Sequence, residues 1–94
     1  MRKELAKAYL SQQAYRIRHT LGWSQERMAE SLAITPRAYG DLERGKYCFS
    51  AWSLLSLLNI MGKDESWKLI GEICSKMEET KGGNSITNLR ADHP

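Results

Sequence analysis

Ala6, Leu10, Ala14, Ile17 and Leu21 follow one another at intervals of three or four residues, a spacing that puts them on one face of a helix. It predicts a first helix from Arg2 to Leu21, closed by Gly22, since glycine takes the left-handed turn at a helix end without steric cost. Met28, Ala29 and Leu32 form the stripe of a second, short helix over 24–32, which Ser24 can cap with its hydroxyl. Thr35 followed by Pro36 starts a third over 35–44: the threonine oxygen accepts from an orphan N–H, and proline suits the first helical position because it has none to lose. Tyr39 and Leu42 then face inward, and Gly45 stops the helix. Ser50 opens a fourth with Leu54, Leu57, Leu58 and Met61, closed by Gly62, and Asp64 opens a fifth through Trp67, Ile70, Cys74 and Met77 to about Lys81. The remaining GGNSITNLRADHP has no periodicity and predicts a flexible tail over 82–94. With no alternating β-branched run and no valine at all, the pattern predicts an all-α chain, one five-helix domain over 1–81.

Composition narrows this picture. Ninety-four residues bury only a modest core, so a second copy would add stability. No run approaches the roughly 18 apolar residues of a membrane span, and the basic start MRKELAKAYLSQQ is too interrupted for a secretory signal. The chain therefore reads as soluble and cytoplasmic, without a membrane partner. Cys48 and Cys74 form no CxxC pair and have no histidine at ligand spacing, the histidines being His19 and His93. They are expected to be reduced, buried small hydrophobes, and no metal or cofactor is expected. Residues 1–47 carry nine Lys/Arg against five Asp/Glu, net +4, and residues 48–94 five against six, net −1. Any polyanion should thus meet the amino-terminal half. No Ser/His/Asp or Cys/His arrangement and no glycine-rich phosphate cradle is available, so no catalytic residue is assigned and the chain reads as a non-enzyme.

Helices of about two turns are marginal alone, so 24–32 and 35–44 make sense only packed on each other and on their neighbours. Two short helices joined by a tight turn form a helix-turn-helix, whose second helix enters the major groove. Arg37 lies one turn before Asp41 on that second helix, so both project from one side. An arginine there can bind guanine O6 and N7, and an aspartate can accept from cytosine N4. The two can also simply pair with each other. Gly40 is unfavourable inside a helix by about 1 kcal/mol relative to alanine, which fits either close approach to DNA or tolerated drift.

The residues also resemble a family: the helix-turn-helix domains of phage Cro and repressor proteins and of bacterial XRE-type regulators, with a lambda-repressor-like fold. The resemblance covers about Ala14 to Gly62 and rests on Ile17-Arg18, Ser24-Gln25, Met28-Ala29, Leu32, Ile34-Thr35, Tyr39, Leu42-Glu43, Gly45, Leu54, Leu58 and Met61-Gly62. It implies that Gln25 reaches a DNA phosphate and braces the reading helix. It also implies that Arg44 and Lys46 meet phosphates, and that Arg18 and Glu43 form a structural salt bridge between the first and third helices. Thr35, Pro36, Arg37, Gly40 and Asp41 complete the expected DNA-binding set. The chain departs from the family's pattern at Ala33, where glycine is usual in the turn, at Tyr39 for a branched aliphatic, at Phe49 for proline, and at Trp52 for a polar residue.

These readings converge on a sequence-specific binder of double-stranded DNA, a repressor-like transcriptional regulator acting as a homodimer. The fifth helix carries two apolar rows, Trp67, Ile70, Cys74 and Met77 beside Leu69 and Ile73. One row can close the domain's core; Trp67, Ile70, Cys74 and Met77 are expected to form the dimer interface, unless Leu5 to Leu10 cover the row left outside. The alternative is a protein-interaction module such as an antitoxin or regulator partner subunit, acting through Tyr47, Phe49 and Trp52. Those aromatics could instead pack under the first helix near Leu5 and Tyr9.

Overall fold

Side-chain caps start three of the helices. Ser24 Oγ accepts from the Arg27 N–H at 3.1 Å, Thr35 Oγ1 from Ala38 at 3.0 Å, and Ser50 Oγ from Ser53 at 3.1 Å, each satisfying a donor that the helix leaves unpaired. The resulting order is α1 (Lys3–Leu21), α2 (Gln25–Ser31), α3 (Pro36–Glu43), α4 (Ala51–Met61) and α5 (Lys63–Lys81), in a computed structural model that describes residues 2–81. The tail expected over 82–94, with His93, lies outside the described residues. Among the described residues there is no strand, and the chain folds as an all-α helix-turn-helix domain.

The turn between α2 and α3 keeps a left-handed residue although glycine is missing: Ala33 has φ 58°. The Ala33 N–H bonds to the Glu30 carbonyl at 3.1 Å and the Ile34 N–H to the Ala29 carbonyl at 3.0 Å, so the end of α2 is closed despite the strained alanine. At the end of α3, Gly45 (φ 76°) turns the chain so that the Lys46 N–H reaches the Asp41 carbonyl at 2.9 Å. Ser66 Oγ donates to the Leu58 carbonyl at 2.7 Å, tying the first turn of α5 to α4.

The core draws on every helix: Leu10, Ala14 and Ile17 from α1, Met28 and Ala29 from α2, Tyr39 and Leu42 from α3, Leu57 from α4 and Leu69 from α5, with Leu32 and Phe49 from the loops. Packing of α2 on α3, with α1 also against α3, holds the third helix between them, and α4 packs with α5.

Four expectations need correction. Leu21 is 42% exposed; it comes after the last turn of α1 that is covered and only walls a groove with Ile60 and Met61. Cys48 and Cys74 are exposed, not buried. Cys48 sits in the loop after α3, and Cys74 lies on the outer row of α5 because Leu69, with Ile73 half-buried, takes the inner one. The aromatic set does not share one surface: Phe49 is in the core, whereas Tyr47 and Trp52 face solvent. Leu5, 58% exposed, covers neither them nor the outer row of α5; the amino-terminal extension meets α5 on another side, where the Tyr9 hydroxyl donates to Glu72 at 3.1 Å.

Ala33 is exposed, so its methyl contributes strain without packing. Ala33→Gly is expected to stabilise the domain by roughly 0.5–1 kcal/mol, the relief of a left-handed alanine less the extra freedom of unfolded glycine. Urea unfolding should show a higher midpoint with an unchanged slope; a lower midpoint would contradict the strain.

Candidate nucleic-acid interface

The end of α3 is anchored by one carboxylate. Glu43 Oε2 accepts from Arg18 Nε at 2.8 Å and from the Tyr39 hydroxyl at 2.5 Å, and Oε1 accepts from Arg18 Nη2 and Gln25 Nε2, each at 2.9 Å. Arg18 Nη1 also donates to the Trp23 carbonyl at 2.9 Å. The expected Arg18–Glu43 pair is therefore present as a bidentate bridge, with the two side chains only 12% and 6% exposed. A buried carboxylate is tolerated when its lone pairs are filled, and here α1, α2 and α3 fill them. No buried side-chain polar atom among the described residues lacks a partner.

The network fixes its own charge states. Burial raises the Glu43 pKa, but the bonds from Arg18, Tyr39 and Gln25 and the Arg18 charge together outweigh it and hold the carboxyl below its ordinary range. The bond to Glu43 raises the Arg18 pKa although burial opposes it. Burial first, and then the bond to Glu43, pushes the Tyr39 phenol well up. At neutral pH the carboxylate, guanidinium and phenol all keep the form the bonds need.

The fold places the rest of the expected set around this anchor. Gln25, half-buried in the first turn of α2, spends one amide hydrogen on Glu43, which leaves its second for a ligand. Thr35 caps α3, and it, Pro36 and Arg37 are exposed at that helix's start. Arg37 does not pair with Asp41. The Asp41 carboxylate is taken by Arg44 one turn further on. Asp41 itself is 8% exposed and borders a hollow of about 220 Å³ with Ile34, Ala38, Leu42 and Tyr47. Gly40 is buried beneath two side chains: a Cβ there would stand 3.3 Å from Arg44 Nη1 and 3.7 Å from Gln25 Oε1. Arg44 is largely exposed. Lys46 is exposed as well, with its Nζ 5.5 Å from the centre of the Tyr47 ring.

Sequence reasoning missed two participants and one bond between residues it had already named. The Tyr39 hydroxyl joins the Glu43 cluster at a helical i,i+4 spacing that could have revealed it. Arg27, exposed on α2, lies 4.6 Å over the Trp23 ring at the same spacing. The Gln25–Glu43 bond joins residues 18 apart and had no local signal. Among the described residues no group of His, Cys, Asp or Glu could hold a metal ion, and no helix is long and apolar enough to cross a membrane.

In comparison with known proteins, a family model described as helix-turn-helix matches residues 13–68. No match was found among curated proteins or solved structures.

Because folding lowers the Glu43 pKa, the stability it contributes is complete above the ordinary carboxyl value, near pH 4, and is lost as the pH falls through the folded value. Glu43→Gln should cost about 3 kcal/mol at neutral pH, by leaving Arg18 buried without its counter-charge. In urea unfolding, the gap between wild type and variant should close in acid; a gap that persists there would show that the charge is not its source.

Proposed function

The chain belongs to the helix-turn-helix family of Cro- and XRE-type DNA-binding regulatory domains, and from that premise we propose that it binds double-stranded DNA in a sequence-specific manner and regulates transcription as a repressor-like homodimer. The observation that carries the proposal is the anchored reading helix. Glu43 ties the end of α3 to α1 and α2, while the start of α3 leaves Thr35, Pro36 and Arg37 exposed, where a recognition helix meets base edges. In this reading Arg37 contacts a base. Gln25, through its second amide hydrogen, Arg44 and Lys46 contact phosphates, which set register without specifying sequence. Asp41, occupied by Arg44, supports an arginine in place of reading cytosine itself.

The proposed dimer uses α5. Trp67, Ile70 and Met77 are 66%, 37% and 42% exposed, and Cys74 lies with them on the same row. An apolar row of this extent favours a partner surface. A two-fold axis through it would bury the row and set two reading helices roughly 34 Å apart, one turn of DNA. A second reading, an interaction module such as an antitoxin or regulator partner subunit, draws on Tyr47, Trp52 and Leu55, which are 55%, 65% and 61% exposed. Selection of bound fragments from random duplex DNA separates the two: a regulator returns a two-fold symmetric motif, and an interaction module returns none.

On the selected duplex, Arg37→Ala is expected to relax preference at one base pair per half-site by roughly 1–3 kcal/mol. Lys46→Ala should weaken binding to every sequence alike and make the salt dependence shallower by about one unit per lost phosphate contact. Uniform weakening by Arg37→Ala would remove it from the bases, and an unchanged salt slope would place Lys46 in solvent. Replacing Ile70 and Met77 with lysine should leave the circular dichroism spectrum intact, convert a sedimenting dimer to monomer and steeply lower operator affinity. A wild-type protein that already sediments as a monomer at micromolar concentration would end the dimer proposal.

A further inference from the structure

Gly40 stands inside the eight-residue α3, where glycine is the least favourable residue short of proline. Its backbone does not require glycine, because the positive-φ glycines among the described residues are Gly22, Gly45 and Gly62. What the missing Cβ provides is space. The Arg44 side chain folds back over Gly40, bringing Nη1 to 3.3 Å from where a Cβ would stand, while Nη2 donates to the Asp41 carboxylate. Glu43 takes the Gln25 amide nitrogen, and the Gln25 carbonyl oxygen comes to 3.7 Å from the same point. The arginine nevertheless stays 65% exposed. Its guanidinium is thus held from behind and open in front.

We infer that Gly40 is a positioning residue: its notch seats the Arg44 guanidinium on α3, in front of Asp41 and beside Gln25, so that the outer N–H edge is already aimed at a backbone phosphate of duplex DNA. An arginine loses much rotamer freedom when it is immobilised, and seating it beforehand removes part of that loss from binding. A phosphate is the expected acceptor because Arg44 caps the carboxyl end of α3, whereas base edges are met by a reading helix's amino-terminal residues. The inference rests on the DNA-binding reading above.

A double-mutant cycle tests it, with Gly40→Ala, Arg44→Ala and the double variant titrated against the selected duplex and against a mixed-sequence duplex of equal length. Gly40→Ala should keep or raise the Tm, since alanine favours the helix and only the far end of a flexible side chain has to move. It should bind both duplexes about tenfold more weakly, the order expected for a lost hydrogen bond to a charged group, with a salt slope shallower by up to about one unit. In the Arg44→Ala background, Gly40→Ala should have no further effect. Equal weakening with and without Arg44 would mean that the added methyl itself meets the DNA, and would overturn the inference. So would unaltered binding, a lowered Tm, or a loss confined to the selected duplex, which would move Arg44 to a base. If the wild type binds neither duplex, the DNA-binding reading fails and takes the inference with it, an outcome visible before any variant is made.

Discussion

The Glu43 carboxylate is the constraint on which the rest of this small domain depends. It accepts from Arg18 on α1, Gln25 on α2 and Tyr39 on its own helix, at a site where its side chain is only 6% exposed. A carboxylate so placed is costly unless every lone pair is used, and a bidentate guanidinium with two further donors uses them. The geometry of three helices is therefore coupled: moving any one leaves a charge short of partners. Directional bonds of this kind define orientation in a way that the small apolar core, with its non-directional attraction, does less sharply.

That coupling matters because α2 and α3 are too short to hold themselves. Seven and eight residues respectively, they fall below the length at which isolated helices persist in water. Their starts are set by Ser24 and Thr35, their buried faces by Met28, Ala29, Tyr39 and Leu42, and the relative angle by the Glu43 cluster. The same cluster extends to Gln25, whose amide is oriented by Glu43 and whose oxygen lies 3.7 Å from where a Cβ on Gly40 would stand, a point that Arg44 Nη1 also approaches. The glutamine bonded to a structural ion pair and an exposed arginine thereby lie around one glycine of α3.

The outer face of the domain is governed by a different limit. A chain of this size cannot bury both apolar rows of α5, and Leu69 with Ile73 takes the core, leaving Trp67, Ile70, Cys74 and Met77 outside. The same shortage of interior leaves Tyr47, Trp52 and Leu55 exposed beyond Phe49, which is buried. Surface-to-volume scaling predicts such a surplus of apolar surface in small domains.

Much of the fold was legible in the sequence because its signals act within one turn. A cap hydroxyl bonds an N–H three residues on, a glycine closes the helix it follows, and a three-four stripe defines its own buried face, so Ser24, Thr35-Pro36, Gly45, Ser50 and Gly62 delimited helices without reference to anything distant. Ala33 stood out as a turn residue bent without glycine only through the family resemblance. The Arg18–Glu43 bridge spans 25 residues and was foreseen only through family resemblance. What the tertiary structure alone decided were competitions between groups that the chain brings together from afar. Asp41 went to Arg44 and not Arg37, Gln25 was claimed by Glu43, the inner row of α5 was chosen over the outer, and both cysteines were left exposed. Local periodicity says which residues share a face. Only the position of the neighbouring helices determines which face is covered and which of several possible partners lies within bonding distance.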